Sequence, residues 1–380
     1  MHTAVTLPGV GIFGTNDVAR ILVPILREKG FVIQAIWGKN MKEAEETANE
    51  LKINFYTSKI DDVLLCKNVD MIFVLCQPYL HPQISVKALG IGKHVVCDRP
   101  VGTCQLETQK MVRASDYYPS LIAFANYSLR FLPAFVHMKK SINDGIIGPL
   151  SFIEISIKTS SLLSESGNYD WLASDIMGGG ILNLVGSHVI DLIHFLTNKK
   201  VARAHAIVRT FKQQTDSIAG IRQITAPDFC NFQLELEGGL IVVANLQSNQ
   251  CCKNAFEQDV TIVGRDGSLS VSGGDLVCLK KKNDNSNEFK EEKLYVEIQD
   301  LRIESASSTL TLPRPYIKGM MKMVGALKEA FATTTGWKKE AVSAAANFND
   351  ALHVQTVLEA IRKSSETRNW IKIDAQDEQN

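Results

Sequence analysis

The sequence predicts two domains of different class: an α/β domain with a doubly wound parallel sheet, then an α+β domain with a mostly antiparallel open sheet. A length of 380 residues allows two domains of ordinary size. Apolar runs alternate with helical patterns up to about residue 125, as in parallel βαβ units. After that point strand-like runs follow one another across turn signals. We therefore predict domains over 1–125 and 126–373, with a frayed polar tail over 374–380.

The elements of the first domain follow from the spacing of their apolar residues. Predicted strands cover 8–13, Phe31–Trp37, Met71–Cys76 and His94–Cys97. Predicted helices cover 18–26, Met41–Leu51 and Pro82–Leu89. A doubly wound sheet binds ligands at the carboxyl ends of its strands, so the loops after these strands are the candidate site.

The second domain opens with a helix over Phe131–Asn143, which ends at Asp144-Gly145. Predicted strands cover Leu150–Ile157, Ala202–Arg209, Phe229–Leu236, Leu240–Gln247, Val260–Val263 and Leu269–Val271. The turns Glu237-Gly238-Gly239 and Arg265-Asp266-Gly267 predict hairpins. Further predictions are a helix over Gly180–Leu196, a solvated loop over 281–295, and closing helices near 316–332 and 339–364.

Composition narrows the function classes. Lysine plus arginine and aspartate plus glutamate both number 41, which gives no electrostatic argument for nucleic acid or an anionic membrane. No apolar run approaches the ~20 residues of a membrane span, and the start lacks a secretory pattern. The eight cysteines show no zinc-binding spacing, so we expect no metal and free thiols. A cytoplasmic location is predicted, although unconventional secretion would leave no mark in the sequence.

A glycine-rich turn follows the first predicted strand. The pattern GxGxxG fits Gly9, Gly11 and Gly14, but Gly9 and Gly11 fall before or inside the strand. The functional turn is Gly14-Thr15-Asn16-Asp17-Val18-Ala19, with Asn16 in the middle position, where asparagine tolerates a positive φ. Its amides would approach a pyrophosphate at the helix N-terminus. The competing interpretation is an α/β domain that binds nothing at this crevice.

The residues after the second strand select the cofactor. An acid there would bind a ribose 2′-hydroxyl, whereas a base would accommodate a 2′-phosphate. The chain has Trp37-Gly38-Lys39-Asn40 and no acid. We predict NADP(H), with Lys39 supplying charge and Trp37 or Gly38 bordering the adenine. The alternative is that Lys39 is an ordinary loop lysine.

Several motifs follow one another along the chain: Cys76-Gln77-Pro78-Tyr79-Leu80-His81, Gly92-Lys93-His94-Val95-Val96-Cys97-Asp98-Arg99-Pro100, Gly178-Gly179-Gly180 and Gly186-Ser187-His188-Val189-Ile190-Asp191. Together they resemble the glucose-fructose oxidoreductase/inositol dehydrogenase (Gfo/Idh/MocA) family over nearly the whole chain. The segment 212–225 is closer still to the animal glucose-fructose oxidoreductase domain-containing members of that family.

The resemblance implies an N-terminal Rossmann domain, an active site between the domains, and an open second sheet that forms a homodimer. It implies hydride transfer between nicotinamide and a sugar or polyol, and a Pro100 with a cis peptide bond. Gln77, Pro78 and His81 would line the ribose region, or serve only as loop structure. The expected cofactor-binding residues are Phe13, Gly14, Thr15, Asn16, Asp17, Val18, Trp37, Gly38, Lys39, Cys76, Gln77, Pro78, His81, Asp98, Arg99 and Pro100.

Two departures from the family pattern concern the proton relay. The family's Glu-Lys-Pro becomes Asp98-Arg99-Pro100, and the aspartate of its Asp-x-Gly-x-His becomes Leu184. Arginine stays protonated near neutral pH and leucine carries no charge, so His188 remains the candidate acid/base. We predict an NADP(H)-binding pseudo-oxidoreductase with little or no turnover. An active NADP-dependent sugar or polyol oxidoreductase using Arg99 and His188, and a protein-interaction scaffold, are the alternatives.

Overall fold

The computed structural model describes residues 7–163, 169–214, 223–248, 255–281, 289–298, 300, 312–332 and 337–373. The chain divides into two compact units. Unit 1 comprises Met1–Phe131 and Asp300–Leu352, and unit 2 comprises Leu132–Gln299 and His353–Asn380.

Unit 1 contains the predicted doubly wound sheet. Its described strands are β1 (Val10–Phe13), β2 (Ile33–Trp37), β3 (Tyr56–Thr57), β4 (Met71–Val74), β5 (His94–Cys97) and β6 (Ala123–Ala125). They are all parallel, in the order β3-β2-β1-β4-β5-β6. The helices between them are α1 (Asp17–Glu28), α2 (Met41–Leu51), α3 (Ile60–Leu64), α4 (His81–Gly90) and α5 (Gln105–Tyr117). The strand order reverses between β1 and β4, which is where such folds bind dinucleotides.

Four of these elements were not predicted: β3, α3, α5 and β6. Helix α5 escaped notice because it buries few apolar side chains, chiefly Met111 and Val112, and so has little apolar periodicity. The other three span two, five and three residues, too few for a periodic signal.

A helix from late in the chain completes unit 1. Helix α8 (Arg314–Phe331) contributes Ile317, Met320, Val324 and Leu327 to the core that holds α1 and strands of the parallel sheet. The prediction assigned 126–373 to one domain, and the structure differs because residues 300–352 cluster with unit 1. An amphipathic pattern shows that a helix has a buried face but not which sheet that face covers.

Unit 2 contains a nine-stranded sheet in the order β14-β13-β12-β11-β7-β10-β9-β8-β15. Its strands are β7 (Leu150–Thr159), β8 (Val201–Arg209), β9 (Phe229–Leu236), β10 (Ile241–Ser248), β11 (Phe256–Gly264), β12 (Gly267–Ser272), β13 (Asp275–Lys281), β14 (Phe289–Tyr295) and β15 (Ile371–Lys372). Only β7 and β10 pair in parallel among these described strands, which confirms a mostly antiparallel sheet. Both predicted glycine turns connect antiparallel neighbours.

Three predictions in the second half need correction. The supposed loop over 281–295 includes the edge strand β14, whose charged side chains face solvent, as edge strands often require. The last helix, α9, covers Phe348–Thr367 and begins later than residue 339. The helix over Gly180–Leu196 is a π turn, Leu182–Gly186, followed by α7 (Ser187–Thr197). Helix α6 covers Pro133–Asn143, close to its prediction. The tail 374–380 lies outside the described residues.

Within the described part of the chain, the helical segment Asp175–Thr197 is long and apolar enough to cross a membrane, with a mean hydropathy of 1.5. The window that passes this test is 89% buried within the protein, so a core helix accounts for it. The described cysteines, Cys66, Cys76, Cys97, Cys104, Cys230 and Cys278, carry free thiols, as predicted, whereas Cys251 and Cys252 lie outside the described residues.

Candidate dinucleotide site

The turn after β1 requires glycine at its first position. Gly14 has a φ of +138°, and a Cβ there would lie 2.8 Å from the backbone of Leu75. Asn16, in contrast, has a φ of −87° and is the N-cap of α1. The prediction placed Asn16 at a site of positive φ, and that reason is wrong. The turn accepts asparagine because its side chain caps the helix.

Side chains hold this turn in place from both sides. Asn16 Oδ1 accepts the Ala19 N–H at 3.2 Å, and Arg20 Nη1 donates to the Thr15 carbonyl at 2.6 Å. Arg20 also lies 3.8 Å from the Asp17 carboxylate and pairs more closely with Glu50, at 2.9 Å, so its charge offsets the acid in the first helical turn only in part. The α1 N-terminus therefore keeps the amide-rich, electropositive character that binds a pyrophosphate.

The end of β2 carries the residues predicted to face the adenosine. Trp37 is buried against Phe13, with ring centroids 5.9 Å apart. A Cβ on Gly38 would lie 2.8 Å from the Ala44 nitrogen, so only glycine permits this approach to α2. Lys39 is exposed and makes no ion pair with any residue that the structure describes. Its ammonium group is thus available to an anion.

The environment of His81 favours the second of its two expected roles, a part of the loop structure. Its side chain is fully buried, and its two ring nitrogens lie 2.9 Å from the Cys76 carbonyl oxygen and 3.0 Å from the Pro100 carbonyl oxygen. Burial lowers the pKa of this imidazole. The histidine therefore joins the loop after β4 to the loop after β5. Burial also raises the pKa of the neighbouring Cys76 thiol to about 12, which leaves it unreactive.

The end of β5 holds a polar cluster around Asp98. Its carboxylate accepts from Arg99 Nη1 at 3.0 Å through one oxygen and from Asn126 Nδ2 at 3.0 Å through the other. The Arg99 guanidinium lies 5.8 Å from the ring centroid of Tyr316, which α8 supplies. The Arg99–Pro100 peptide bond is cis, as predicted.

Sequence reasoning missed Asn126 and Tyr316. Asn126 directly follows β6, and its N–H donates to the Cys97 carbonyl oxygen at 2.7 Å. Ligands bind beyond the carboxyl ends of parallel strands, so Asn126 would have been a candidate if the sequence had predicted β6. Tyr316 comes from a helix almost 200 residues further along the chain, and nothing in the sequence signals its position.

The carboxyl edge of this sheet concentrates buried polar atoms that lack hydrogen bonds to any described residue. They are Trp37 Nε1 in the last residue of β2, Gln77 Oε1 after β4, Arg99 Nε after β5 and Asn126 Oδ1 after β6. Buried polar atoms are normally hydrogen-bonded, and exceptions require an explanation. A polar ligand lying across the strand ends explains all four, so the residues present fit a dinucleotide.

In unit 2, the remaining predicted residues lie around the π turn. Leu184 lies in that turn and is 8% exposed, whereas His188 and Asp191 follow in α7 and are each 1% exposed. Single π turns inside α-helices occur frequently at functional sites. Both His188 and Asp191 are buried and make interactions within the protein, as residues with a structural role do.

An ion-pair network adjoins the π turn and was also missed. The Arg362 guanidinium donates to both carboxylate oxygens of Asp175 at 3.2 Å and to the Asn183 side-chain oxygen. Asn183 Nδ2 in turn donates to the Gly179 carbonyl at 2.7 Å. This network fixes the Gly178–Gly180 segment, where a Cβ on Gly180 would lie 2.4 Å from Pro227. Its contacts give it a structural role.

Comparison with known families agrees with this geometry. Residues 8–121 match the family described as "Oxidoreductase family, NAD-binding Rossmann fold", and residues 135–270 match the GFO/IDH/MocA C-terminal domain. The chain belongs to the Gfo/Idh/MocA oxidoreductase family.

Relatives and solved structures support this assignment. The chain is 42% identical over 370 residues to glucose-fructose oxidoreductase domain-containing protein 1 of Xenopus tropicalis, covering 97% of this chain and 93% of the relative. It is 40% identical over 374 residues to glucose-fructose oxidoreductase domain-containing protein 2 of Homo sapiens, covering 97% of this chain and 94% of the relative. The structure is similar to levoglucosan dehydrogenase in complex with NADH and L-sorbose, with a TM-score of 0.79 and 17% sequence identity. The match covers 97% of this chain and 99% of the dehydrogenase chain.

Proposed function

We propose that this chain binds NADP(H) in unit 1 and catalyses little or no hydride transfer. The observation that carries the proposal is the contrast between an intact dinucleotide turn and an altered proton relay. Gly14 and Asn16 build the turn that would bind the pyrophosphate, whereas the family resemblance puts Arg99 where other members have a lysine.

Arg99 is poorly suited to moving a proton. Arginine stays protonated in proteins. Here its Nη1 donates to the Asp98 carboxylate at 3.0 Å, which holds the guanidinium in place. Leu184, at the position of the family aspartate, has no group that accepts a proton. When bound, a nicotinamide would supply the hydride chemistry, but of the relay positions only His188 could move the accompanying proton. Losing relay members commonly costs 10²–10⁴-fold in rate, so roughly that loss is expected here.

The preference for NADP(H) over NAD(H) rests on Lys39. This lysine follows β2, is exposed, and has no ion-pair partner among the described residues. It adjoins the N-terminus of α2, where Asn40 is the cap. A 2′-phosphate there would gain both the lysine charge and the favourable end of the helix dipole.

We also propose a homodimer formed through the nine-stranded sheet. The residues of β10 that alternate with its core residues, Ile241, Val243, Asn245 and Gln247, are only partly buried. Asn245 Oδ1 is buried there without a hydrogen-bond partner in the described chain. A second copy on this face would cover Val243 and offer a donor to Asn245.

The experiment is to denature the purified protein and measure the released nucleotide by absorbance at 260 and 340 nm and by mass. Stoichiometric NADP(H), together with no steady consumption of NADPH across a panel of sugar and polyol carbonyl substrates, is the expected result. NAD(H) in its place would overturn the role of Lys39. Turnover that disappears in His188→Ala would establish an active sugar or polyol oxidoreductase instead. No released nucleotide and no binding on titration would favour a protein-interaction scaffold.

A further inference from the structure

The Asp98 carboxylate fixes two side chains and leaves each with one polar atom unused. Because a carboxylate only accepts hydrogen bonds, Asn126 must turn its Nδ2 towards Asp98, and its Oδ1 is then directed elsewhere. Arg99 likewise gives Nη1 to Asp98 and retains its Nε–H. Neither Asn126 Oδ1 nor Arg99 Nε has a hydrogen-bond partner among the described residues, although Asn126 is only 3% exposed. The pair therefore presents one fixed acceptor and one fixed donor.

The position of this pair in the sheet limits its ligand. In the strand order β3-β2-β1-β4-β5-β6, a dinucleotide crosses the sheet at the β1/β4 reversal. The pyrophosphate belongs at the turn after β1, and the adenosine belongs over β2. The other nucleoside therefore extends over β4, β5 and β6, and Arg99 and Asn126 follow β5 and β6.

A primary carboxamide is complementary to such a pair. Its carbonyl oxygen accepts from Arg99 Nε–H, and its NH₂ group donates to Asn126 Oδ1. A carboxylate in the same place has no proton to donate, so Asn126 Oδ1 would face another acceptor. Building on the NADP(H) binding proposed above, we propose that Asn126 and Arg99 recognise the nicotinamide carboxamide and make the site discriminate against its carboxylate analogue.

The test compares two dinucleotides that differ only in this group. NADP⁺ and nicotinic acid adenine dinucleotide phosphate are titrated into nucleotide-free protein by calorimetry, with adenosine 2′,5′-bisphosphate as a probe that lacks the nicotinamide half. The wild-type protein is expected to bind NADP⁺ at least about tenfold more tightly than the carboxylate analogue. Asn126→Ala should abolish this preference and leave the affinity for the bisphosphate unchanged.

Two further variants keep the outcome interpretable. Arg99→Lys retains a cation for Asp98 but lacks Nε, so it should weaken NADP⁺ binding and spare the bisphosphate even where Asn126→Ala folds poorly. Asn49→Ala, an exposed position in α2, should keep the wild-type preference. Equal binding of the two dinucleotides by the wild type, or an unchanged preference in both site variants, overturns carboxamide recognition alone. Failure of the wild type to bind even the bisphosphate overturns the proposed function as well.

Discussion

The side chain of Asn16 donates from Nδ2 to the carbonyl oxygen of Leu75 at 2.7 Å, which ties the turn after β1 to the end of β4. The same side chain caps α1 through its Oδ1. One asparagine thus positions the pyrophosphate turn relative to the strand on the other side of the sheet reversal.

Asn16→Asp separates these two contributions. Aspartate preserves the helix cap but removes the donor to Leu75 and adds a negative charge where a pyrophosphate would bind. We expect a loss of about 1–3 kcal/mol in unfolding free energy and at least about tenfold weaker NADP(H) binding. Urea unfolding and calorimetry would measure both. Asn347→Asp, the same change at the N-terminus of α9, is the control and should be nearly neutral. Equal effects of the two changes would contradict the role of the Leu75 contact.

Restoring the family relay should raise turnover. Arg99→Lys combined with Leu184→Asp supplies a cation that can lose its proton and a carboxylate, so NADPH oxidation should rise by about 10²-fold or more over wild type. Stopped-flow absorbance at 340 nm would follow it. The controls are the two single variants, Arg99→Lys and Leu184→Asp, and the combination of Arg99→Lys with Leu184→Asn. A double variant slower than wild type would show that Arg99 already participates in an active enzyme.

Lys39→Ala should reduce affinity for NADPH by about tenfold and leave NADH binding unchanged, because only the 2′-phosphate would contact the ammonium group. Titration of both nucleotides against the same preparation measures the ratio. Lys42→Ala removes an 83% exposed lysine three positions later and is the matched control. A parallel loss for both nucleotides would mean that Lys39 acts on the fold and not on cofactor choice.

His94 should make stability fall in acid. The residue is 3% exposed, and its ring packs edge-on against Trp337 with the ring centroids 4.5 Å apart. Burial lowers the pKa of its imidazole to about 4 from an ordinary 6.5. Asp70 opposes this shift and Lys339 adds to it. As the pH falls, the unfolded state therefore binds the proton first. The contribution of His94 to the free energy of unfolding is kept in full above about pH 6.5 and is lost by up to about 1.4 kcal/mol per pH unit towards pH 4.

The check is the free energy of unfolding measured at intervals between pH 7 and 4. His94→Asn retains an acceptor for the Ile122 N–H, which His94 Nδ1 binds at 2.9 Å, and should flatten the slope by up to one proton. If the free energy of unfolding has the same pH dependence in the wild type and in His94→Asn, then His94 is not the cause of the loss of stability in acid.

Val243→Arg should convert the proposed dimer to a monomer, since a charge on the partly buried face of the interior strand β10 cannot be accommodated between two copies. Light scattering after gel filtration measures the mass. Glu291→Arg, on the exposed edge strand β14, introduces the same side chain at a position where the dimer should survive. A wild-type protein that is monomeric at all accessible concentrations would contradict the proposed homodimer.

The sequence predicted the architecture because its apolar spacing is strong in β1, β2, β4 and β5 and in α1 and α2. Met41–Leu51 and His94–Cys97 were predicted to the residue. The site was predicted only where chain neighbours form it, as in the turn at Gly14. Asn126 and Tyr316 reach Asp98 and Arg99 through the tertiary fold, and periodicity does not encode which distant residues meet. The two expected roles of His81 could not be separated from the sequence, because a histidine within a motif gives no sign that backbone carbonyl oxygens lie against both of its ring nitrogens.

Helix α8 gives the synthesis of this protein a particular order. Unit 1 begins at the N-terminus, but part of its apolar core, including Met320 and Leu327, lies in a helix that ends at Phe331. Between Phe131 and that helix end the ribosome must add 200 residues, which takes about 10–40 s at ordinary rates. During that interval Leu22 and Leu26 on α1 lack their final cover. The nascent dinucleotide unit therefore leaves part of its apolar core uncovered until almost the whole chain has been made, and exposed apolar surface of that kind makes an incomplete chain prone to aggregate.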